Sequence, residues 1–394
     1  MALFELGELC TWAKGASIPR DDTNQSSECA YLHYGDLYKK YDFRLNLDEK
    51  YKEIIRIGDT SKIKSEQYLH TGDIVFALTS ETIDDLGHCT LIINDSDKLF
   101  VSGMETTAIH IKNQKEVLPA YLNYYFHSMH FQHLLRQYVT GMKVYRVHPK
   151  DLMKIKIDLP DYGKQEKVVG VLDAISDKMA LNSKINDNLF STLRSYYYQL
   201  ISGNCSPALL KDIATVESGK RPELIADKKT DNVTIPVIGA SKIMGYTTKA
   251  MYNERLLITG RVGTHGVIQR FSKEIWPSDN TLVIKTQHYE FIYQVLKSVD
   301  YLALNRGSTQ PLITQNDLKN TEIWWPENDN LERYEKTIHP ITTMIEFIQD
   351  ENESLINLRD YLLPKLMSGE IDVSSLADSQ LNNHLSEVNE PKSQ

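Results

Sequence analysis

Adjacent prolines are missing from this 394-residue chain although it holds 13 of them. Their absence removes the Pro-Pro-aromatic motif of amino-methyltransferases. No glycine-rich loop ends in Gly-Lys-Ser or Gly-Lys-Thr to hold a nucleotide, the histidines lack H-E-x-x-H spacing, and there is no Gly-x-Ser-x-Gly elbow. Methyl transfer, ATP hydrolysis and hydrolase chemistry therefore find no motif here. The four cysteines, Cys10, Cys29, Cys89 and Cys205, stand too far apart for a zinc or redox pair, so neither metal nor disulfide is expected. A lone cysteine is either a small buried hydrophobe or a catalytic thiol. No apolar run is long enough to span a bilayer, and the first nine residues mix Glu5 and Glu8 with apolar side chains rather than forming a basic leader. The expectation is a cytoplasmic protein without membrane contact.

Positive charge is also in deficit. The formal net charge is −9, which taken alone argues against a protein that binds polyanions. The local distribution differs: between 136 and 156 the chain carries Arg136, Lys143, Arg146, Lys150, Lys154 and Lys156 against Asp151 alone, while the tail beyond Gly369 is acidic. A basic face is hidden inside an acidic total. With 41% hydrophobic and 25% charged residues over this length, the composition is that of an ordinary globular protein with two or three folded units.

What is present is repetition. Two segments align without a gap at an offset of 166 residues: Gly141 with Gly307, Asp151-Leu152 with Asp317-Leu318, Ile157 with Ile323, Pro160 with Pro326, Glu166 with Glu332, Leu189 with Leu355, Leu200 with Leu366 and Ser202-Gly203 with Ser368-Gly369. A looser match at an offset of 204 joins the segment from Leu6 to Gly15 with that from Leu210 to Gly219. Each copy is a globular part followed by a helix, and the first globular part is the longer.

Both helices are marked by period and punctuation. Val168, Leu172, Ile175, Met179, Asn182, Asn186, Leu189, Leu193, Tyr196 and Leu200 recur at spacings of four and three, as do Tyr334, Ile338, Ile341, Ile345, Ile348, Asn352, Leu355, Arg359, Leu362 and Leu366. Pro160 and Pro326 precede the starts, and Gly203 and Gly369 stand at the C-caps. Two such seams suit an antiparallel coiled coil, each helix spanning on the order of 55 Å at 1.5 Å per residue and holding two heads apart. Pro340 is expected to kink the second helix or delay its onset to about Thr342. Asn182, Asn186 and Asn352 either fix register or sit wet and unpaired.

The fold class is α+β: two heads with twisted or barrel-like sheets, separated by the paired helices. The expected boundaries are 1–161 for the first head, 162–203 for the first helix, 204–328 for the second head, 329–369 for the second helix and 370–394 for a disordered tail. The β-rich runs Asp73 to Thr79 and Thr281 to Lys285 belong to the heads, with helical patterns over Pro119 to Gln137 and Tyr289 to Leu304.

Polar, glycine-punctuated loops remain. Lys143, Tyr145, Arg146 and His148 follow Gly141, and Arg306, Ser308, Thr309 and Gln310 surround its repeat partner Gly307. Lys220, Arg221, Lys242, Arg261, Thr264 and His265 extend the polar surface of the second head, with Lys14 and Arg20 as counterparts in the first. Arginine, lysine and glutamine suit base edges, while hydroxyls and backbone amides suit phosphates, so these residues are candidates for DNA contact. Each is equally a candidate for a solvated turn. Tyr145 and Tyr246 suit stacking or wedging, or a place at the rim of the core.

The Gly-Ser-Thr-Gln-Pro-Leu-Ile-Thr-x-x-Asp-Leu run at 307–318 and the Leu-Leu-Pro-Lys-Leu-Met-Ser-Gly-Glu-Ile run at 362–371 carry a resemblance, with their degenerate copies 166 residues earlier. So do the opening Leu-Gly-Glu-Leu and the Gly-Ala-Ser-Lys-Ile-Met-Gly-Tyr stretch at 239–246. The chain resembles the specificity (S) subunit of a type I restriction-modification system over its length to about Asp372. Departures are Tyr198 and Gln199, where the second copy has Pro364 and Lys365, and Pro340 itself. The resemblance implies two target-recognition domains reading the halves of a bipartite double-stranded DNA site, with the helices as a ruler for the spacer. It implies two modification subunits, restriction (motor-nuclease) subunits reached through the complex, and no catalysis or cofactor in this chain. S-adenosylmethionine, ATP and Mg would belong to the partner subunits. The alternatives are a coiled-coil scaffold without DNA recognition and a self-contained DNA-modifying enzyme.

Overall fold

The computed structural model describes residues 2–18, 27–41, 43–307 and 311–373. The chain divides into two compact units, one made of 1–180 and 353–394, the other of 181–352. The divide falls inside both long helices, Tyr162–Ile201 and Asn328–Ser368, so each unit contains a sheet-rich head and a segment of each helix.

In the first unit a five-stranded sheet runs in the order Cys10–Lys14, Thr106–Ile111, Ile74–Ala77, Cys89–Ile93, Arg44–Asn46. A smaller sheet orders Arg56–Ile57, Cys29–Leu32 and Phe100–Ser102. The stretch from Pro119 to Gln137 forms two helices, Pro119–His127 and Met129–Arg136, because Ser128 turns extended and its hydroxyl caps the second by accepting from Phe131 N at 3.2 Å. Phe76, Phe126 and Phe131 fill one core together with Val168 and Leu172 of the first long helix and Leu363 and Leu366 of the second. Val373 is buried in that same core, which corrects the expectation of a disordered tail at this residue; 374–394 lie outside the described residues.

The second unit repeats the plan with fewer strands. Thr215–Ser218, Thr281–Lys285, Leu256–Gly260 and Gln269–Phe271 form one sheet, and Ile243–Thr247, Ile235–Ile238 and Trp276–Pro277 another. Here too a helical stretch splits, into Tyr289–Ser298 and Tyr301–Leu304, with Asp300 capping the latter. Phe291, Ile292 and Leu296 share a core with Leu193 and Tyr197 of the first long helix and Tyr334, Ile338 and Ile345 of the second.

In the second unit the helix segments run antiparallel, since Asn182 meets Asn352 while Tyr197 shares its core with Tyr334. Asn182 Nδ2 donates to Asn352 Oδ1 at 2.8 Å and to Glu351 Oε2 at 2.7 Å, and Asn182 is 1% exposed. A buried amide with such partners fixes register, because sliding either helix strands Asn182 in the seam. The seam slips at Tyr197, buried where Tyr196 was expected while Tyr196 is exposed, and by one residue at Thr342 and Leu363, each more buried than the expected Ile341 and Leu362. The expected delay at Pro340 does not occur, as the second helix runs unbroken from Asn328. Ile338 and Ile345, fully buried on either side of the proline, hold it in place by tertiary packing that outweighs one lost backbone bond.

Candidate nucleic-acid interface

The geometry of the repeat begins with two glycines that lie 204 residues apart. Gly15 N donates to Thr106 O and Gly219 N to Thr281 O, at 3.0 and 3.1 Å. A Cβ on Gly15 would stand 1.9 Å from Gly103 O, and one on Gly219 would stand 2.2 Å from Ser278 O. Only glycine fits where the first strand of each sheet crosses a turn this closely. The turn is the same in both: Thr106 Oγ1 donates to Gly103 O, and Thr281 Oγ1 to Ser278 O, each at 2.7 Å.

At this end of each sheet a loop is closed in the same way. Thr140 and Arg146 exchange two backbone bonds of 2.9 Å, closing a hairpin over Gly141. At the 166-residue offset, Arg306 N donates to Leu312 O at 3.0 Å. Val147 N donates to Leu78 O at 3.0 Å, and Ile313 N donates to Arg261 O at 2.9 Å, so each loop is stitched to the strand end that precedes it. His148 and Thr314, again 166 apart, both cap the short helix that follows.

The candidate side chains assemble at these ends. In the first head, Lys14 closes the edge strand, and Lys143 and Arg146 are exposed on the hairpin. In the second, Gly219 leads into Lys220 and Arg221, and Lys220 N donates to Pro277 O at 3.0 Å. Ser278 N donates to Ile238 O at 2.9 Å, which brings in the turn bearing Lys242; Gln269 Nε2 donates to Gly239 O at 2.8 Å beside it. Arg261 N donates to Asn280 O at 2.8 Å, and Gly263 N to Pro311 O at 3.0 Å. Seven expected residues spread between positions 220 and 306, Lys220, Arg221, Lys242, Arg261, Thr264, His265 and Arg306, thus share one end of the second head. Arg20, Ser308, Thr309 and Gln310 lie outside the described residues.

Most candidate cations at this end are free of carboxylate partners among the described residues. Among the described residues no carboxylate lies within 4.0 Å of the charged groups of Lys14, Lys143, Lys220, Arg221, Lys242 or Arg261. Several cations that face the long helices are paired: Arg44 with Asp177 at 2.6 Å, Lys273 with Asp350 at 2.7 Å, and Arg270, itself buried, with Glu290 at 2.7 Å. Two candidates at the loop end are exceptions. Arg146 has Glu105 at 3.9 Å, and Arg306 pairs with the buried Asp317. Burial pushes the Asp317 carboxyl up, but the hydroxyl and amide of Thr314 and the Arg306 guanidinium more than offset this and hold it below the usual carboxylate range.

Other candidates have local structural partners. His148 accepts from Lys150 N at 3.2 Å as a helix cap. His265 Nδ1 lies 3.2 Å from Gly260 O inside its own loop. Tyr145 packs on the first core, and Tyr246 shares a backbone bridge with Ala226. The sequence reading passed over Met142 and Met104, exposed at the tips of two turns at the same end of the first head. Nothing in the sequence distinguishes an exposed methionine from a core one.

The only cysteine within reach of a histidine among the described residues is Cys89, whose Sγ lies 3.6 Å from His127 Nε2 and 3.7 Å from Asn123 Oδ1. It is fully buried, and burial first, then the neighbouring His88, pushes His127 down to about 3. This imidazole stays neutral beside a buried thiol. A pocket lined by Phe190, Arg194, Tyr197 and Lys297 lies between the second head and its helix segment, away from the loops. The loop ends project rather than enclose, which suits a large ligand better than a small one. No helix among the described residues is long and apolar enough to cross a membrane.

A family model described as the type I restriction modification DNA specificity domain matches residues 1–190 and 207–357. The specificity subunit of the type I restriction enzyme MjaIX of Methanocaldococcus jannaschii is 22% identical over 310 residues, covering 66% of this chain and 71% of that protein. Among solved structures, the S subunit of a type I restriction-modification system from M. genitalium covers 93% of this chain and 95% of its own at 14% identity, with a TM-score of 0.57. That likeness establishes a shared fold.

Proposed function

The chain belongs to the family of type I restriction modification DNA specificity domains, and from that premise we propose that each head reads one half of a bipartite DNA site with its loop end. The observation that carries this is the matched pair of loop closures, Thr140 with Arg146 and Arg306 N with Leu312 O, at equivalent sheet ends. Unpaired cations beside both loops favour phosphates and base edges, and rigid stitching to the sheets keeps them in register on the duplex. Lys14, Lys143, Lys220, Arg221, Lys242 and Arg261 are the contacts on which the reading rests, with Thr264 supporting them. Arg20, Ser308, Thr309 and Gln310 keep their proposed role on the sequence alone.

The long helices hold two modification subunits. Their exposed apolar positions support this: Leu181, Ile185, Met344 and Phe347 in the second unit, and Ile356, Leu358 and Tyr361 in the first. Seven large apolar side chains on helices already packed along one face call for a partner on another. The chain itself does no covalent chemistry, and S-adenosylmethionine, ATP and Mg are bound by the modification and restriction subunits. The fully buried thiol of Cys89 supports the non-catalytic reading. Single-molecule mapping of methylated adenines in DNA from cells making this chain with its modification subunit tests the whole proposal. A new two-part motif with a fixed spacer is expected, and exchanging one head is expected to change only one half of it. A stable complex that methylates no defined motif would leave a scaffold as the better account.

A further inference from the structure

The loop end of the first head carries an apolar tip that base-edge or phosphate reading does not use. Met142 is 93% exposed and Val144 45% exposed, on either side of Lys143 at the turn of the hairpin. A neighbouring turn raises Met104, 56% exposed, and the two turns adjoin because Glu105 lies 3.9 Å from Arg146. Both turns hold unusual backbone. Gly141 has φ +96°, and a Cβ there would stand 2.1 Å from Val144 O, so the hairpin closes only with glycine. Glu105, a residue that avoids the left-handed region, sits at φ +74°. Below the tip the hairpin is fixed: Thr140 and Arg146 are doubly bonded, Arg146 pairs with Thr79 and Tyr145 with Ser80, and Tyr145 packs on the core.

A lone exposed methionine is ordinary. Two methionines and a valine on adjoining rigid turns, rimmed by the cations of Lys14 and Lys143 and by Arg146, whose charge Glu105 partly offsets, are not a solubility-neutral surface. The rim matches a polyanion, and the apolar centre matches the only apolar surface that polyanion offers, the faces of its stacked bases.

We propose that Met142, supported by Val144 and Met104, is an apolar wedge that enters a base step of the half-site read by the first head and unstacks it. The proposal rests on the DNA-reading role above. Side chains of this kind kink DNA when they enter a step, most cheaply at flexible pyrimidine–purine steps. The wedge therefore selects sequence at a step it does not hydrogen-bond. At the 166-residue offset the second head has the polar Ser308, Thr309 and Gln310 in place of Met142, Lys143 and Val144.

The test uses the complete complex with its modification subunits and a duplex bearing its mapped site, with 2-aminopurine placed at steps of the first half-site other than the methylated adenine. Wild type is expected to raise the fluorescence at one step. Met142→Ala abolishes that rise and weakens binding about tenfold, while Met142→Leu restores both and Met104→Ala has a smaller effect in the same direction. The exposed position makes misfolding of Met142→Ala a minor concern, and an unchanged melting temperature checks it. Retention of both the fluorescence rise and the affinity in Met142→Ala overturns the wedge while leaving the DNA-reading role intact. A wild-type complex that binds no bipartite site overturns both.

Discussion

Side chains at the loop ends divide by what already holds them. Arg306 is committed to Asp317 and through it to the cap at Thr314, so its loss would disturb the fold as well as any contact with DNA. Lys143 and Arg221 have no such commitment among the described residues, and their removal breaks no ion pair. Lys143→Gln and Arg221→Gln are therefore expected to leave the melting temperature and the methylated motif unchanged and to weaken binding on all sequences alike. Each is expected to flatten the dependence of log Kd on log salt by about one counterion. Titration of the complex at several salt concentrations measures this, and a changed motif with an unchanged slope would mean that the residue reads a base. The cations were legible in the sequence because they cluster beside repeated glycines. Met142 and Met104 were not, since their exposure depends on a hairpin whose tip direction only the fold supplies.

At the scale of the element, the long helices were read from spacing, and their errors have physical causes. Tyr196 and Tyr197 are adjacent aromatics, and the choice between them is made by Phe291, whose ring stands 5.7 Å from that of Tyr197. Pro340 failed as a stop signal because Ile338 and Ile345 bind the helix to the second core on both sides. The same helix carries Glu335, whose carboxylate accepts from Phe291 N at 3.3 Å. Burial above all, with the nearby Glu290, pushes it up to about 7, against smaller opposing pulls from that amide and Arg255. A raised carboxyl means that the folded chain keeps a proton the unfolded chain has released. Stability contributed by this group is therefore lost as pH rises from about 4.5 through 7. Glu335→Gln mimics the protonated form, so it is expected to stabilise by on the order of 1–3 kcal/mol at pH 8 and by little at pH 4. Thermal melts of both proteins across that range check it; a gain of equal size at both ends would assign the effect to packing rather than to titration.

Across the whole molecule, the repeat was legible only where insertions are absent. From the hairpin to the end of the helix the copies keep one offset of 166, whereas Thr106 and Thr281 stand 175 apart and Ala77 and Gly260, their strand partners, stand 183 apart. Each loop of different length resets the offset, and strands of four or five residues leave too few matches to find it again. The duplication is nonetheless continuous, and it bears on how the spacer of the DNA site is set. Asn182 and Asn352 face each other, so the joints between 180 and 181 and between 352 and 353 lie at opposed positions on the antiparallel pair. Seven residues inserted at both joints preserve the period of the seam. They lengthen each helix by about 10 Å at 1.5 Å per residue, which corresponds to about three base pairs at 3.4 Å each. If the helices act as the ruler, methylation mapping with the lengthened chain is expected to return the same two half-sites separated by about three more base pairs. The loop ends are untouched, so any change within a half-site would point to a distorted head. An unchanged spacer with full activity would mean that the DNA or the modification subunits, and not this pair of helices, fix the distance between the halves.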